Sequence, residues 1–195
     1  MKNIYQLRIQ LEYINKPPIW REIHVIDLTS LYLVHCTIQG AMGWFNCHLH
    51  QFMQGNQFYG IPHPDYGDSM ADARKVPINK VLRKEKDWLH YEYDFGDGWL
   101  HRITLEKISQ PVAGKEYPLL IKGKGACPPE DCGGPPGYEN LKEIIADPNH
   151  EEHDEMKDWL GDNFDPHEFD LLQHQMAMAA SYKGGLVNKG REFNE

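Results

Sequence analysis

Apolar and polar positions alternate at the start of the chain: Tyr5, Leu7, Ile9, Leu11 and Tyr13 against Gln6, Arg8, Gln10 and Glu12. A period of two puts one set of side chains on a buried face and the other in water, so it predicts a half-buried strand over 5–13. Asn15-Lys16-Pro17-Pro18 breaks the pattern, and Ile19 to Val25 reads as the returning strand. The period then lengthens. Leu31, Val34, Ile38, Ala41 and Phe45, with Met42 beside them, recur at helical spacing and predict a helix from about Ser30 to Trp44. Thr29 is its expected N-cap, with Leu28 and Leu33 as a hydrophobic staple, and its apolar stripe is expected to lie on the sheet.

Beyond the helix, His48 to Met53 and Gln57 to Gly60 flank a Gln54-Gly55-Asn56 turn; in a hairpin there, His48, His50 and Phe52 would share a face. Residues 61–72 read as loop, Val76 to Leu82 as a short strand or helical turn, and Tyr117 to Ile121 as a further strand. Between them Tyr91-Glu92-Tyr93-Asp94-Phe95 runs into Gly96-Asp97-Gly98, and Trp99-Leu100-His101 follows. Asp and Gly tolerate the positive φ that tight hairpins need, so strands are predicted over 89–95 and 99–108. A two-residue turn at Gly96-Asp97 would set Glu92 opposite His101, and one at Asp97-Gly98 would set Asp94 there.

From Lys122 the composition changes. Glycines and prolines surround Cys127 and Cys132, and three helical patterns follow. Tyr138, Leu141, Ile144 and Ile145 form the stripe of the first. Asp147-Pro148 opens the second and Gly161 ends it. Asp165-Pro166 opens the third, and Gly184-Gly185 predicts a frayed end. These patterns predict an α+β fold: a mostly antiparallel sheet of hairpins, a helix of the N-terminal half packed on it, and a helical C-terminal section. One domain is expected over 1–180, with a sheet-rich body at 1–121, the Cys/Pro/Gly loop and acidic helices at 122–180, and a flexible tail at 181–195.

Charge sharpens this division. The net charge of -9 is concentrated: residues 126–175 carry 14 Asp+Glu against 2 Lys+Arg, whereas residues 1–125 carry 13 against 15. A negative field opposes non-specific nucleic-acid binding, which depends on neutralising phosphates. No apolar run approaches the ~20 residues that span a bilayer, so no membrane association is expected. Four cysteines are too few for a disulfide scaffold, and a cytoplasmic location is the default expectation.

Several strings together are specific: His48-Leu49-His50-x-Phe52, Tyr93-Asp94-Phe95-Gly96-Asp97-x-Trp99-x-His101, Ala126-Cys127-Pro128-Pro129-Glu130-Asp131-Cys132-Gly133-Gly134, Gly137-Tyr138, Asp147-Pro148-x-His150-Glu151 and Phe164-Asp165-Pro166-x-x-Phe169-Asp170. With them the chain resembles the plasmid open-reading-frame-three family of root-inducing plasmids, from the first strand to about Leu171. The resemblance implies an α+β fold and no assigned reaction. Some members have been labelled transposon-related or resolvase-like, and some are fused to a DNA-binding domain, which implies an accessory role on a plasmid or mobile element.

The residues themselves offer two chemistries. His101 beside Asp94 or Glu92 would be an oriented general base, and Asp97 in the turn completes a candidate catalytic set of His101, Asp94 and Asp97. His48 and His50, roughly 7 Å apart along a strand, together with Cys127 and Cys132, form a candidate metal set for zinc or another divalent ion. Cys47 adds a further donor. The bland readings are a cross-strand histidine–carboxylate pair that serves stability, and two thiols packed as small apolar groups. No Walker loop, nucleophile elbow or dinucleotide fingerprint is present. The first reading of function is a non-catalytic interaction or regulatory module with a protein partner. The alternative is a metal-dependent hydrolase or nuclease-like enzyme. A third, a nucleic-acid binder using Arg74, Lys75, Lys80, Arg83, Lys84 and Lys86, is opposed by the charge balance.

Overall fold

The structure is a computed structural model and describes residues 2–62, 70–161 and 164–188. Its elements are β1 (Ile4–Asn15), β2 (Pro18–Ile26), α1 (Leu31–Met42), β3 (His50–Gln54), β4 (Gln57–Gly60), β5 (Met70–Asp72), β6 (Trp88–Tyr93), β7 (Trp99–Ser109), β8 (Leu119–Lys124), α2 (Gly134–Ala146), α3 (His153–Leu160) and α4 (Leu171–Asn188). One 3-10 turn, Ile78–Lys80, lies between β5 and β6. The expected loop at 61–72 falls mostly outside the described residues. The strands form one sheet in the order β5-β4-β3-β6-β7-β1-β2-β8, antiparallel throughout except for the parallel pair β4–β5. The α+β expectation holds, and its hairpins are β1–β2, β3–β4 and β6–β7.

The alternation in β1 sorts its side chains as predicted as far as Leu11: Tyr5, Leu7, Ile9 and Leu11 are buried, whereas Gln6, Arg8 and Gln10 are half-buried on the other face. The left-handed backbone of Tyr13 (φ 67°) then breaks it, leaving Tyr13 exposed and Ile14 buried. That other face carries Arg8 over the ring of Trp20 and Arg102 over the ring of Trp88. The first face is covered by α1, every residue of which is buried. Its N-cap is Ser30, whose Oγ accepts the Leu33 N–H at 3.4 Å, and not the expected Thr29. Arg21 fastens the other end. Its side chain is wholly buried on β2 and donates to the carbonyls of Ala41, Trp20 and Lys124, so it satisfies a last-turn acceptor of α1 and ties it to β8.

Three boundaries differ from expectation for local reasons. Asp147 closes α2 as its C-cap instead of opening the next helix, and α3 starts six residues later at His153. Asp165-Pro166 forms a turn ahead of α4. That helix runs to Asn188, through the Gly184-Gly185 pair that was expected to end it. A Cβ on Gly185 would lie 2.6 Å from Cys36 Sγ, so the glycine lets α4 close against α1. Residues 189–195 of the expected tail lie outside the described residues.

Candidate metal centre

The hairpin of β6 and β7 turns differently from the two-residue expectation. Tyr93 pairs with Trp99, Glu92 with Leu100, and Tyr91 with His101, which leaves a five-residue loop, Asp94–Gly98. Asp94 leaves the strand with φ 57°, its Oδ1 accepts the Gly96 N–H at 2.9 Å, and its carbonyl accepts the Gly98 N–H at 2.6 Å. Asp is among the few residues that reach this left-handed region readily, which is why the Asp-Gly signal marks the loop but not its length.

This register overturns the expected imidazole–carboxylate pair of His101 with Glu92 or Asp94. His101 projects into the core with Tyr91, and Glu92 lies on the opposite face, where its Oε2 accepts from Gln51 at 2.6 Å. His101 Nδ1–H is shared between the carbonyls of Trp99 (3.0 Å) and Tyr91 (3.3 Å), its ring meets Trp44 edge-on, and burial lowers its pKa to about 4. Asp97 also lies apart from it, in the loop, with Oδ2 buried and unpartnered.

His48 and His50 separate as well, because β3 begins only at His50 and His48 belongs to the preceding loop. His50 goes inward and stacks on His35 of α1, ring centroids 3.5 Å apart and planes within 5°. His35 is fully engaged: its Nε2–H donates to Asn46 Oδ1 (2.7 Å) and its Nδ1 accepts from the Tyr91 hydroxyl (2.8 Å), which in turn accepts from Gln39 Nε2 (3.0 Å). Burial lowers the pKa of both rings, with that of His50 at about 4 and the charge of His50 adding to the effect on His35.

His48 turns toward the surface and meets three carboxylates. Its Nε2 lies 3.2 Å from Asp131 Oδ1, 3.7 Å from Asp94 Oδ2 and 3.8 Å from Glu130 Oε2, and it makes no hydrogen bond. Around a divalent ion with bonds of about 2.0–2.2 Å, neighbouring ligand atoms sit about 3.0–3.5 Å apart, so these separations are close to a ligand shell. Glu130 Oε1 is locked by two donors, the Phe45 N–H (2.9 Å) and the Tyr93 hydroxyl (3.0 Å), and Tyr93 Oη accepts the Cys47 N–H (3.1 Å). Its other oxygen, Oε2, is buried, faces His48 and has no hydrogen-bond partner. Asp94 is built the same way, one oxygen held by Gly96 and the other directed at His48. Such outer contacts are what orient ligands in metal sites. Burial and the neighbouring Glu130 charge raise the Tyr93 phenol far above its ordinary pKa, so it stays a proton donor to that carboxylate.

Local sequence explains the convergence. Three left-handed residues, Asn46, Asp94 and Asp131, turn the chain at the three segments of the site. Gly134 packs so tightly on the Asp97 carbonyl that no Cβ fits, which pins the start of α2 to the hairpin loop. Trp44 Nε1–H donates to the Pro128 carbonyl at 3.0 Å and holds the Cys127–Cys132 loop against the end of α1.

Among the described residues, the sets of three or more donor groups within 4.8 Å of one another are Cys47, His48 and Glu130, and His48, Asp94 and Asp131. His48 is common to both, and neither includes His50, Cys127 or Cys132. The two thiols are held up by burial, Cys132 at about 12 and Cys127 higher still, so both are protonated at neutral pH. Of the residues singled out from sequence, the fold thus brings His48 to Asp94 and sets His50 and His101 against the ring of Tyr91. Glu130 and Asp131 went unread as donors. They stand between the paired cysteines, and the signal was a doublet of carboxylates stiffened by Pro128-Pro129 on one side and glycines on the other.

The surrounding family pattern matches this chain closely. Residues 3–173 match the model of the plasmid pRiA4b ORF-3-like proteins. An uncharacterized protein of Sinorhizobium fredii, y4hQ, is 38% identical over 160 residues, covering 82% of this chain and 81% of its own. A crystal structure of a protein of unknown function from Methanosarcina mazei Go1 superposes with a TM-score of 0.81 at 36% identity, covering 88% of this chain and 97% of that one. Among the described residues no helix is long and apolar enough to cross a membrane. On these matches the chain belongs to the plasmid pRiA4b ORF-3-like family.

Proposed function

We propose that the protein is a metal-dependent binding and regulatory module whose ion is held by His48 with Asp94 and Asp131, with Glu130 and Cys47 as the alternative donors at the same imidazole. The observation that carries the reading is the paired build of Glu130 and Asp94: each has one oxygen fixed by a hydrogen bond and the other directed, without a hydrogen bond, at His48 Nε2. Nitrogen, oxygen and sulfur donors together suit zinc best among common divalent ions. An ion there would join three segments distant in sequence, the 46–49 loop, the 94–98 loop and the 127–132 loop, and would set the surface they form.

A second reading, a metal-dependent hydrolase, is favoured by one feature: the Asp131 side chain is 72% exposed, so the outer side of the site is open to water and substrate. A hydrolase would use the ion to lower the pKa of a bound water.

Calorimetric titration of tag-free, chelator-treated protein with zinc tests the main reading. One ion per chain is expected, and His48→Ala should weaken binding at least a hundredfold with the melting temperature unchanged. Undiminished binding by that variant would overturn the reading. Turnover of an activated phosphate or carboxylate ester by zinc-loaded protein, lost in His48→Ala, would favour the hydrolase.

A further inference from the structure

The strongest surface feature outside the His48 cluster lies between α2 and α3. A cavity of about 400 Å³ opens there, within the range of small binding clefts, with Leu141, Ile144, Met156 and Trp159 among its lining residues. Leu141 and Ile144 are buried and form its floor, whereas Trp159 is 50% exposed at its side. Asp131 and Glu155 stand at its edges. The walls are fixed to the body: Tyr138 is fully buried, Lys142 Nζ donates to the Lys16 carbonyl at 2.6 Å, and the His153 ring donates through Nδ1 to the Ile144 carbonyl at 3.1 Å.

The electrostatics of this face select its occupant. Asp131 and Glu155 are its acidic edge residues, and Glu139, Glu143, Asp147, Glu151, Asp154 and Asp158 are exposed elsewhere on the same acidic segment. Of the two lysines in residues 126–175, Lys142 is already bridged to Glu139 at 2.9 Å. A divalent ion at His48 would leave the three carboxylates there with a net negative charge, so the field keeps its sign with or without metal. Such a surface repels phosphate backbones and attracts cations. An apolar floor edged by Asp131 and Glu155, on a segment with 14 acidic residues against 2 basic ones, fits a chain that carries both apolar anchors and positive charges.

We propose that the α2–α3 cleft is a docking site for a basic amphipathic segment of a partner protein, which seats an apolar side chain against Trp159 and Met156 and sets Lys or Arg side chains toward Glu155 and Asp131. The cleft shares Asp131 with the proposed metal site, but its apolar lining of Leu141, Ile144, Met156 and Trp159 is not part of that donor set. Large side chains in a desolvated cleft supply most of the affinity of such an interface, and the acidic edge supplies association rate and discrimination.

The test is calorimetry on the full chain, with and without zinc, using a twelve-residue Lys/Leu amphipathic peptide and an equally charged Lys/Ser peptide. Binding of the Lys/Leu peptide is expected, at least tenfold tighter than the Lys/Ser peptide, weakened at least tenfold by Trp159→Ala and several-fold by Glu155→Gln. Both side chains are exposed, so both variants should keep the parent melting temperature. Equal binding of the two peptides would mean diffuse charge attraction and would overturn the proposal. So would a Trp159→Ala affinity within twofold of the parent, or tighter binding of a duplex DNA than of the peptide.

Discussion

Two groups of histidines lie on the same side of this sheet and behave in opposite ways. His35 of α1 and His50 and His101 of the sheet gather around the ring of Tyr91, stacked or hydrogen-bonded and held neutral by burial. His48 lies just before β3, where the chain leaves the core, and there it meets three carboxylates and no hydrogen-bond partner. Chemistry of residue type is the same in both groups. Surroundings decide between them. Inside, His35 has both nitrogens matched to neutral partners, and His50 and His101 keep a buried Nε2 with no hydrogen-bond partner among the described residues. At the rim the imidazole becomes available to carboxylates and to ions.

The largest expected effect breaks the inner group. His35→Ala removes the ring on which His50 stacks and strands the Tyr91 hydroxyl and the Asn46 amide, so it combines a cavity with unpaired buried polar groups. A loss of about 3 kcal/mol is expected in denaturant unfolding. A loss below about 1 kcal/mol would mean that the inner relay carries little of the stability.

Acid should reach the same group next. His101 titrates near 6.5 in the unfolded chain and about 4 in the folded one, and His35 is shifted in the same direction. The unfolded state therefore takes up protons first as pH falls, and the stability held by these neutral rings, complete above pH 6.5, is lost between pH 6.5 and about 4. Melting temperatures measured across that window should fall steadily, and a flat profile would contradict the buried, neutral assignment.

The smallest effect on the fold belongs to the outer group. His48→Ala should change unfolding free energy by no more than about 0.5 kcal/mol in metal-free protein, because it removes a partly exposed side chain and relieves no strain. A cost as large as that of His35→Ala would erase the distinction between the two groups.

The sequence carried much of the scaffold. Strict alternation in β1, the Pro-Pro break before β2 and the stripe of α1 are local signals, and each element forms within a few residues of its expected place. The site was legible only in part. His48, Asp94 and the Cys-Pro-Pro-Glu-Asp-Cys string stood out, but their grouping depended on facts that no local pattern holds. One is the five-residue loop in place of a two-residue turn, set by the left-handed backbone of Asp94 and its bond to Gly96. Another is the start of β3 at His50, which sends two histidines two positions apart to different partners, His50 to the ring of His35 and His48 to the carboxylates. The third is the contact of Gly134 with Asp97, which brings Glu130 and Asp131 across from another part of the chain.

Crystals of the metal-free protein soaked in zinc, with anomalous scattering recorded at the zinc edge, test the account most directly. It predicts one strong peak bonded at about 2.0–2.2 Å to His48 Nε2 and to carboxylate oxygens of Asp94 and Asp131, absent from His48→Ala crystals. A peak on Cys127 and Cys132 instead, or none within bonding distance of His48, would contradict it.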